Sequence, residues 1–173
     1  MVVAGAAKGV TDDTTVVSAT IGGGVASIIL DKSDSNVNAF ILAIAQADIV
    51  SDPGIISIVF SAGKGGIAFG IVEIIGTTNP AAAATNFDIT NNANALSAAV
   101  TIPSGGIGLA VAAAASAGAA TWGGDFTEDF DVAVESSQIS GASTALTGSR
   151  TASVNPFAAS DTTAALVVAA WGP

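Results

Sequence analysis

The sequence predicts an all-β protein, an antiparallel β-sandwich of the jelly-roll type in which residues 1–173 form one domain. Three observations support this prediction. Short segments rich in Val, Ile and Thr are separated by turns that contain Gly, Pro, Asn or Asp. Large and small residues alternate along the most apolar stretch, residues 105–122, as they do in a strand. Segments with helical periodicity are missing between the strands, so a parallel α/β sheet is not expected.

The stretch 105–122 has two other interpretations, a membrane span and an alanine-rich helix. The chain carries no charged residue from 89 to 124, and alanine favours a helix. However, a Pro-Ser-Gly-Gly turn at 103–106 interrupts the apolar run, and several glycines within it weaken a helix. We therefore expect a strand at 106–116, followed by a strand that carries Trp122.

The large residues of this strand, Ile107, Leu109 and Val111, alternate with the small residues Gly108 and Ala110. Because side chains alternate across a strand, the three large residues share one face. We expect this face to point into a two-layer core.

The remaining strands are predicted from runs of β-branched and apolar residues between turn signals. Gly22–Gly24 predicts a hairpin turn, Asp52-Pro53-Gly54 predicts a second turn, and the polar segment 32–38 predicts a loop. The apolar segment 39–47 could be a helix or a strand, and its alternation is consistent with a strand that is buried on both faces. The predicted strands cover residues 1–7, 15–21, 25–31, 39–47, 55–61, 66–75, 87–90, 96–102, 106–116, 136–146, 153–159 and 163–171.

Composition and charge exclude several functions. The chain has fourteen acidic residues and four basic ones, which give a formal net charge of −10. So few basic residues cannot form the positively charged surface that binds nucleic acid or an anionic membrane. The chain has no Cys and no His, so disulfides, zinc–thiolate sites and the commonest catalytic bases are absent. The sequence contains no recognisable catalytic motif, and we expect a protein that is not an enzyme and needs no cofactor. The first residues do not resemble a secretory signal peptide, so export by the usual route is not expected.

An acidic cluster follows the apolar stretch in the segment 123–135. The cluster is a candidate calcium site, because calcium binds several carboxylate and carbonyl oxygens, although its spacing is not that of an EF-hand. The alternative, which we favour, is a loop that leads into a strand, with Phe126, Phe130 and Val132 packed inward and the acids solvated. The candidate ligands are Asp125, Glu128, Asp129 and Asp131, with Glu135 at the end of the cluster.

Trp122 and Trp171 are the two tryptophans of the chain. An exposed tryptophan can stack on a sugar ring, as in a carbohydrate-binding module. A tryptophan more often fills the end of a sandwich core or anchors a protein interface, and we favour this second role for both.

Several segments resemble, in order, the small jelly-roll or concanavalin-like structural proteins of bacteriophage and prophage virions. The C-terminal sequence Ala164–Pro173 is similar to the terminal strand of that family, and residues 17–25 are similar to its first glycine-centred hairpin. Residues 56–75 resemble its paired strands around a glycine turn, and residues 121–143 resemble its acidic loop and the strand after it. The leading strand of the family is short or absent here.

The resemblance implies a non-enzymatic virion protein, located on the capsid exterior or an appendage. It would be a capsid decoration, cement or head-spike protein that contacts copies of itself, as in a trimer, and the major capsid protein or other virion proteins. The alternatives are a tail-fibre component and a carbohydrate-binding or adhesion module. A calcium-stabilised surface protein is a third interpretation. No nucleic acid or membrane partner is expected.

Overall fold

The computed structural model describes residues 2–9, 14–34, 37–52, 54–77, 79–90, 95–116, 118–155 and 163–173. These ranges contain strands and a short 3₁₀ turn at Gln46–Asp48, and no α-helix occurs within them. The all-β class predicted from the sequence is therefore confirmed. The strands are β1 (Val2–Gly9), β2 (Val16–Ile21), β3 (Gly24–Val25), β4 (Ser27–Asp34), β5 (Val37–Ala43), β6 (Ile56–Phe60), β7 (Lys64–Val72), β8 (Ala84–Thr90), β9 (Leu96–Ile102), β10 (Ile107–Ala114), β11 (Thr121–Gly124), β12 (Thr127–Val134), β13 (Ser137–Thr144), β14 (Gly148–Asn155) and β15 (Ala164–Trp171).

The strands form four antiparallel sheets. Sheet 1 has the order β3-β2-β6, and sheet 2 has the order β4-β5-β1-β7. Sheet 3 has the order β12-β13-β10-β15-β8, and sheet 4 has the order β11-β14-β9. Most neighbours in a sheet are far apart in sequence; β1, for example, lies between β5 and β7, and β15 lies between β10 and β8.

The four sheets stack in numerical order, and an apolar interlayer fills the space between each pair. Between sheets 1 and 2, side chains of β2 pack against β5. Between sheets 2 and 3, β5 packs against β10 and β15. Between sheets 3 and 4, the other faces of β10 and β15 pack against β9 and β14. The antiparallel β-sandwich is confirmed, but it has four layers and three interlayers where the sequence suggested a two-layer core. The jelly-roll type and the single-domain boundary stay predictions.

Strands β5, β10 and β15 are buried on both faces because a sheet covers each side. Residues of β5 from Val37 to Ala43 are all buried, as the apolar pattern of the segment 39–47 predicted. In β10, Leu109 and Val111 lie in the 2–3 interlayer, and Ile107 packs against it. The prediction that these three residues share one core is thus confirmed. The alanines between them face the 3–4 interlayer, so the small face of this strand is a second core face rather than a solvent face.

The predicted turns and loops are only partly confirmed. Gly22 and Gly23 form the turn between β2 and β3, and both have the positive φ angles, 55° and 78°, that favour glycine. The predicted loop at 32–38 is wrong in part, because β4 and β5 pair as far as Asp34 opposite Val37. The buried Asn38 of this hairpin donates hydrogen bonds to Asp31 and to the Lys32 carbonyl oxygen, so this polar side chain is accommodated within a strand.

Two further boundaries differ from prediction. Strand β8 begins at Ala84, three residues before the strand predicted at 87–90. Strand β14 covers Gly148–Asn155, whereas a strand was predicted at 153–159; residues 156–159 lie outside the described ranges. In both cases the added residues are small or polar, so apolar periodicity did not mark them.

Candidate interaction surface

The acidic residues lie on and beside β12, the edge strand of sheet 3. A bulge between Glu128 and Phe130 shifts the pairing of β12 with β13, so Asp129 is displaced from the regular alternation. The bulge explains why spacing along the sequence does not predict how these carboxylates are arranged.

The carboxylates of the cluster have separate partners. Asp131 accepts hydrogen bonds from Gln138 Nε2 at 2.7 Å and from the Ala120 backbone N–H at 3.2 Å. Asp129 accepts a hydrogen bond from the Ser143 hydroxyl at 3.1 Å.

Asp125 forms an ion pair with Arg150 at 3.6 Å, and the Glu128 side chain is exposed. In the part of the chain that the structure describes, no three acidic side chains come together in a way that could hold a metal ion.

The inward packing expected for the acidic segment holds for two of its three apolar residues. Phe126 is buried in the 3–4 interlayer, and Phe130 packs against the 2–3 interlayer. Val132 is 41% exposed, because it lies on an edge strand. The ring of Phe130 occupies a space made by two glycines, because a Cβ atom at Gly141 or at Gly70 would collide with the ring.

Trp171 is a core residue of the 2–3 interlayer, and only 1% of its surface is exposed to solvent. Its indole N–H donates to the Pro80 carbonyl oxygen at 3.0 Å, which fastens the segment before β8 to the end of β15. This placement agrees with the core role that the sequence favoured. A sugar-stacking platform needs an exposed ring face, which Trp171 does not offer.

Trp122 is partly buried on β11 and packs against the 3–4 interlayer. Its indole N–H donates to the hydroxyl of Ser140 at 2.7 Å, and that hydroxyl donates to the Phe130 carbonyl oxygen at 2.9 Å. The chain of hydrogen bonds joins sheet 4 to sheet 3. Of the two tryptophans, only Trp122 keeps exposed surface of any size.

A buried polar pair between β4 and β5 was missed by the sequence analysis. Asn38 is fully buried, and its amide Nδ2 donates to Asp31 Oδ1 at 2.5 Å. The other carboxylate oxygen of Asp31 accepts the Val16 backbone N–H at 2.6 Å, so the pair fastens sheet 1 to sheet 2. Asn38 Oδ1 is buried and has no hydrogen-bond partner among the described residues. The sequence predicts a loop at 32–38, and no pattern in this segment indicates that the Asn38 amide is buried.

The described residues line several clefts at the edges of the stack. One, of about 220 Å³, lies between β7 and β12 and is lined by apolar residues and by Asp129. Another, of about 310 Å³, lies at the end of the stack beside Trp171 and is lined by Glu73, Ile75 and Pro173, among others. Neither cleft gathers several polar side chains onto one point, the arrangement typical of small-molecule sites.

The most distinctive surface is the row Ile67, Phe69 and Ile71 on β7, which we call the β7 row. These side chains are 37%, 37% and 50% exposed. Register places them on the face of sheet 2 that turns toward sheet 1: Phe69 is level with Phe40 across β1, and Phe40 belongs to the 1–2 interlayer. Sheet 1 covers β5 but leaves the β7 row uncovered.

The face of β7 that packs inward is made of small residues. Ala68 and Val72 pack against the 2–3 interlayer, and Gly70 lies against the ring of Phe130. The strand therefore places its largest side chains outward and its smallest inward, the reverse of a half-buried strand in a monomer.

The described residues contain no helix that is long and apolar enough to cross a membrane. Comparison with protein-family models, with curated proteins and with solved structures finds no match to this chain.

Proposed function

We propose that the chain is a non-enzymatic structural protein of a phage virion, a capsid decoration, cement or head-spike protein that acts through protein–protein contacts. The observation that carries the proposal is the β7 row, an exposed apolar surface on the edge strand of a sheet. An apolar row beside an open sheet edge is typical of surfaces that bind other proteins.

The stacked architecture supports a structural role. Three apolar interlayers hold four sheets together, and central strands are shielded on both faces. Hydrogen bonds of side chains also connect the layers. One example is the bond from Trp122 in sheet 4 to Ser140 in sheet 3. A stack of this kind presents fixed surfaces to its neighbours, as a component of a protein shell must. The sequence resemblance described above adds the virion to this proposal.

Electron microscopy of particles tests the proposed location. Phage particles would be purified from cultures of the organism that encodes the chain and labelled with a gold-conjugated antibody against it. We expect label at regular positions on the head, or on an appendage if the chain is a tail-fibre component. An antibody from the same animal before immunisation is the control. Purified particles that carry no label, and from which the chain is missing in mass spectrometry, would refute the proposal.

A carbohydrate-binding or adhesion module is the second candidate, favoured by the partly exposed ring of Trp122. A glycan array compares the wild-type chain with Trp122→Ala. Binding by the wild type that is lost in a folded Trp122→Ala variant would support this candidate. Equal binding by the two proteins, or no binding by either, would contradict it.

A further inference from the structure

We propose that the outer edge of β7 is the self-association surface of this protein, where β7 of one copy pairs antiparallel with β7 of a second copy. The inference deepens the proposed structural role and rests on it.

Most of the other sheet edges are protected, and the edge of β7 is not. Exposed edges are normally blunted by charge, bulges, shortness or a cover. Strand β4 has a bulge and carries charged residues, and so does β12. Strands β3 and β11 contain only two and four residues. Strand β6 is uncharged, but with five residues it offers a much shorter edge than β7.

The edges of β8 and β9 cover each other. Asn86 on β8 donates to the Ala99 carbonyl oxygen on β9 at 2.8 Å, and Asp88 accepts the Ser97 backbone N–H at 2.8 Å. These bonds join the edge of sheet 3 to the edge of sheet 4.

Strand β7, in contrast, has nine residues and no charge between Lys64 and Glu73. It pairs with β1 on one side, and no strand in the described ranges pairs with its other side. It is the longest of the edge strands named here. An unprotected edge of this length is a template for pairing with another strand.

Strand β7 is also complementary to itself. Two identical strands pair antiparallel around a two-fold axis perpendicular to the sheet. With the axis at Phe69, Phe69 lies opposite the partner's Phe69 and Ile67 lies opposite the partner's Ile71. The two β7 rows then join into one continuous apolar surface. Aromatic and β-branched residues are favourable partners at such cross-strand positions.

The charge that follows the strand favours the same orientation. Glu73, an exposed residue, follows the last residue of β7. The antiparallel arrangement places the Glu73 residues of the two copies at opposite ends of the paired strands, whereas a parallel arrangement would place these like charges side by side.

The acidic strand β12 lies beneath β7, because the Phe130 ring contacts the Gly70 position. Pairing through β7 therefore brings two acidic strands toward each other. Their repulsion acts over the Debye length, about 10 Å at 0.1 M salt and about 3 Å at 1 M. We expect self-association to strengthen when sodium chloride is raised.

A charge exchange at Phe69 tests the geometry. The variants Phe69→Lys and Phe69→Glu would be studied by analytical ultracentrifugation from low to high micromolar concentration, with circular dichroism to verify folding. We expect the wild type to dimerise and each variant alone to dissociate about tenfold or more readily, because like charges meet at the axis. An equimolar mixture of the two variants should dimerise again, since lysine then lies opposite glutamate. Val17→Lys, at an exposed position on the central strand of sheet 1, is the control and should associate like the wild type.

Cross-linking provides a second measurement, because the chain contains no cysteine. A Phe69→Cys variant should form a disulfide-linked dimer on mild oxidation, since opposite residues of paired strands are about 4.5–5.5 Å apart at Cα, within disulfide range. Val17→Cys should not form this dimer.

The outcomes distinguish a failure of the β7 inference from a failure of the proposed function. If the Phe69 variants associate like the wild type, or if their mixture fails to restore the dimer and Phe69→Cys does not cross-link, the β7 inference is wrong. The virion role would stand in that case, provided that the particles carry the antibody label. A wild-type chain that stays monomeric overturns the β7 inference, and unlabelled particles overturn the virion role as well. The contact is two-fold, so the trimer expected from the sequence would need a different interface.

Discussion

Exchanging Ala112 and Leu166 tests whether the alanine face of β10 is a true core face. The two residues lie directly opposite each other on β10 and β15. Both are 0% exposed and belong to the 3–4 interlayer, where they pack against sheet 4. If the alanines of β10 instead faced an open surface, a leucine at position 112 would be tolerated.

The expected magnitudes follow from this burial. Ala112→Leu adds volume to a closed interlayer and should cost about 1–3 kcal/mol of unfolding free energy. Leu166→Ala leaves a cavity and should cost about 2–5 kcal/mol. The double variant keeps the total volume, so its cost should fall below about 1.5 kcal/mol instead of reaching the additive value of about 3–8 kcal/mol.

Urea denaturation followed by circular dichroism measures these free energies, and thermal melting provides a second readout. A chain of this length should lose about 2–4 °C in Tm per kcal/mol. Ala99→Leu, at an exposed position on β9, is the matched control and should change stability by less than about 0.5 kcal/mol. Additive costs in the double variant, or an Ala112→Leu variant as stable as Ala99→Leu, would refute the packing described for the 3–4 interlayer.

Three further predictions concern side chains that join or line the layers. Gly141→Ala should lose about 1–3 kcal/mol in urea denaturation, because the new methyl group meets the Phe130 ring, and the loss should vanish in a Phe130→Ala background. Trp122→Phe should lose about 1 kcal/mol through the missing hydrogen bond to Ser140, and combining it with Ser140→Ala should cost less than the sum of the two single losses. Tm should be the same in excess calcium and in chelator, because the carboxylates of the acidic cluster are dispersed. A calcium-dependent rise of about 5 °C or more would instead indicate a bound ion.

The sequence predicted the central strands well because their signal is local. The two-residue alternation in β10 determines which side chains share a face, and an uninterrupted apolar run in β5 indicates burial on both faces. The sequence could not predict four layers, since periodicity says which residues share a face and not what covers that face. Both faces of β10 turned out to be covered.

The candidate surface was less predictable for the same reason. Large and small residues alternate in β7 as they do in β10, but in β7 the large residues are exposed and the small ones pack inward. The difference depends on the neighbouring sheets, and it appears only when sheet 1 is seen to stop short of β7. The positions of the Asp129 and Asp131 carboxylates depend on a bulge in β12. A bulge changes the direction of a side chain, and the spacing of residues in the sequence does not reveal it.

The position of β15 has a consequence for how the chain folds. This strand completes sheet 3 between β10 and β8, and it contributes side chains to two interlayers at once. Its partners are separated from it by long stretches of sequence; Leu166, for example, pairs with Asp88 on one side and Ala112 on the other. Such distant pairings make folding slow, because the loops between them must close before any contact is gained.

On the ribosome, β8 and β10 are made well before the strand that fills the gap between them. Until β15 emerges, β10 and β8 lack the strand that pairs with both of them, and the 2–3 and 3–4 interlayers are incomplete. Nascent chains of this protein are therefore expected to depend on chaperones until synthesis reaches β15.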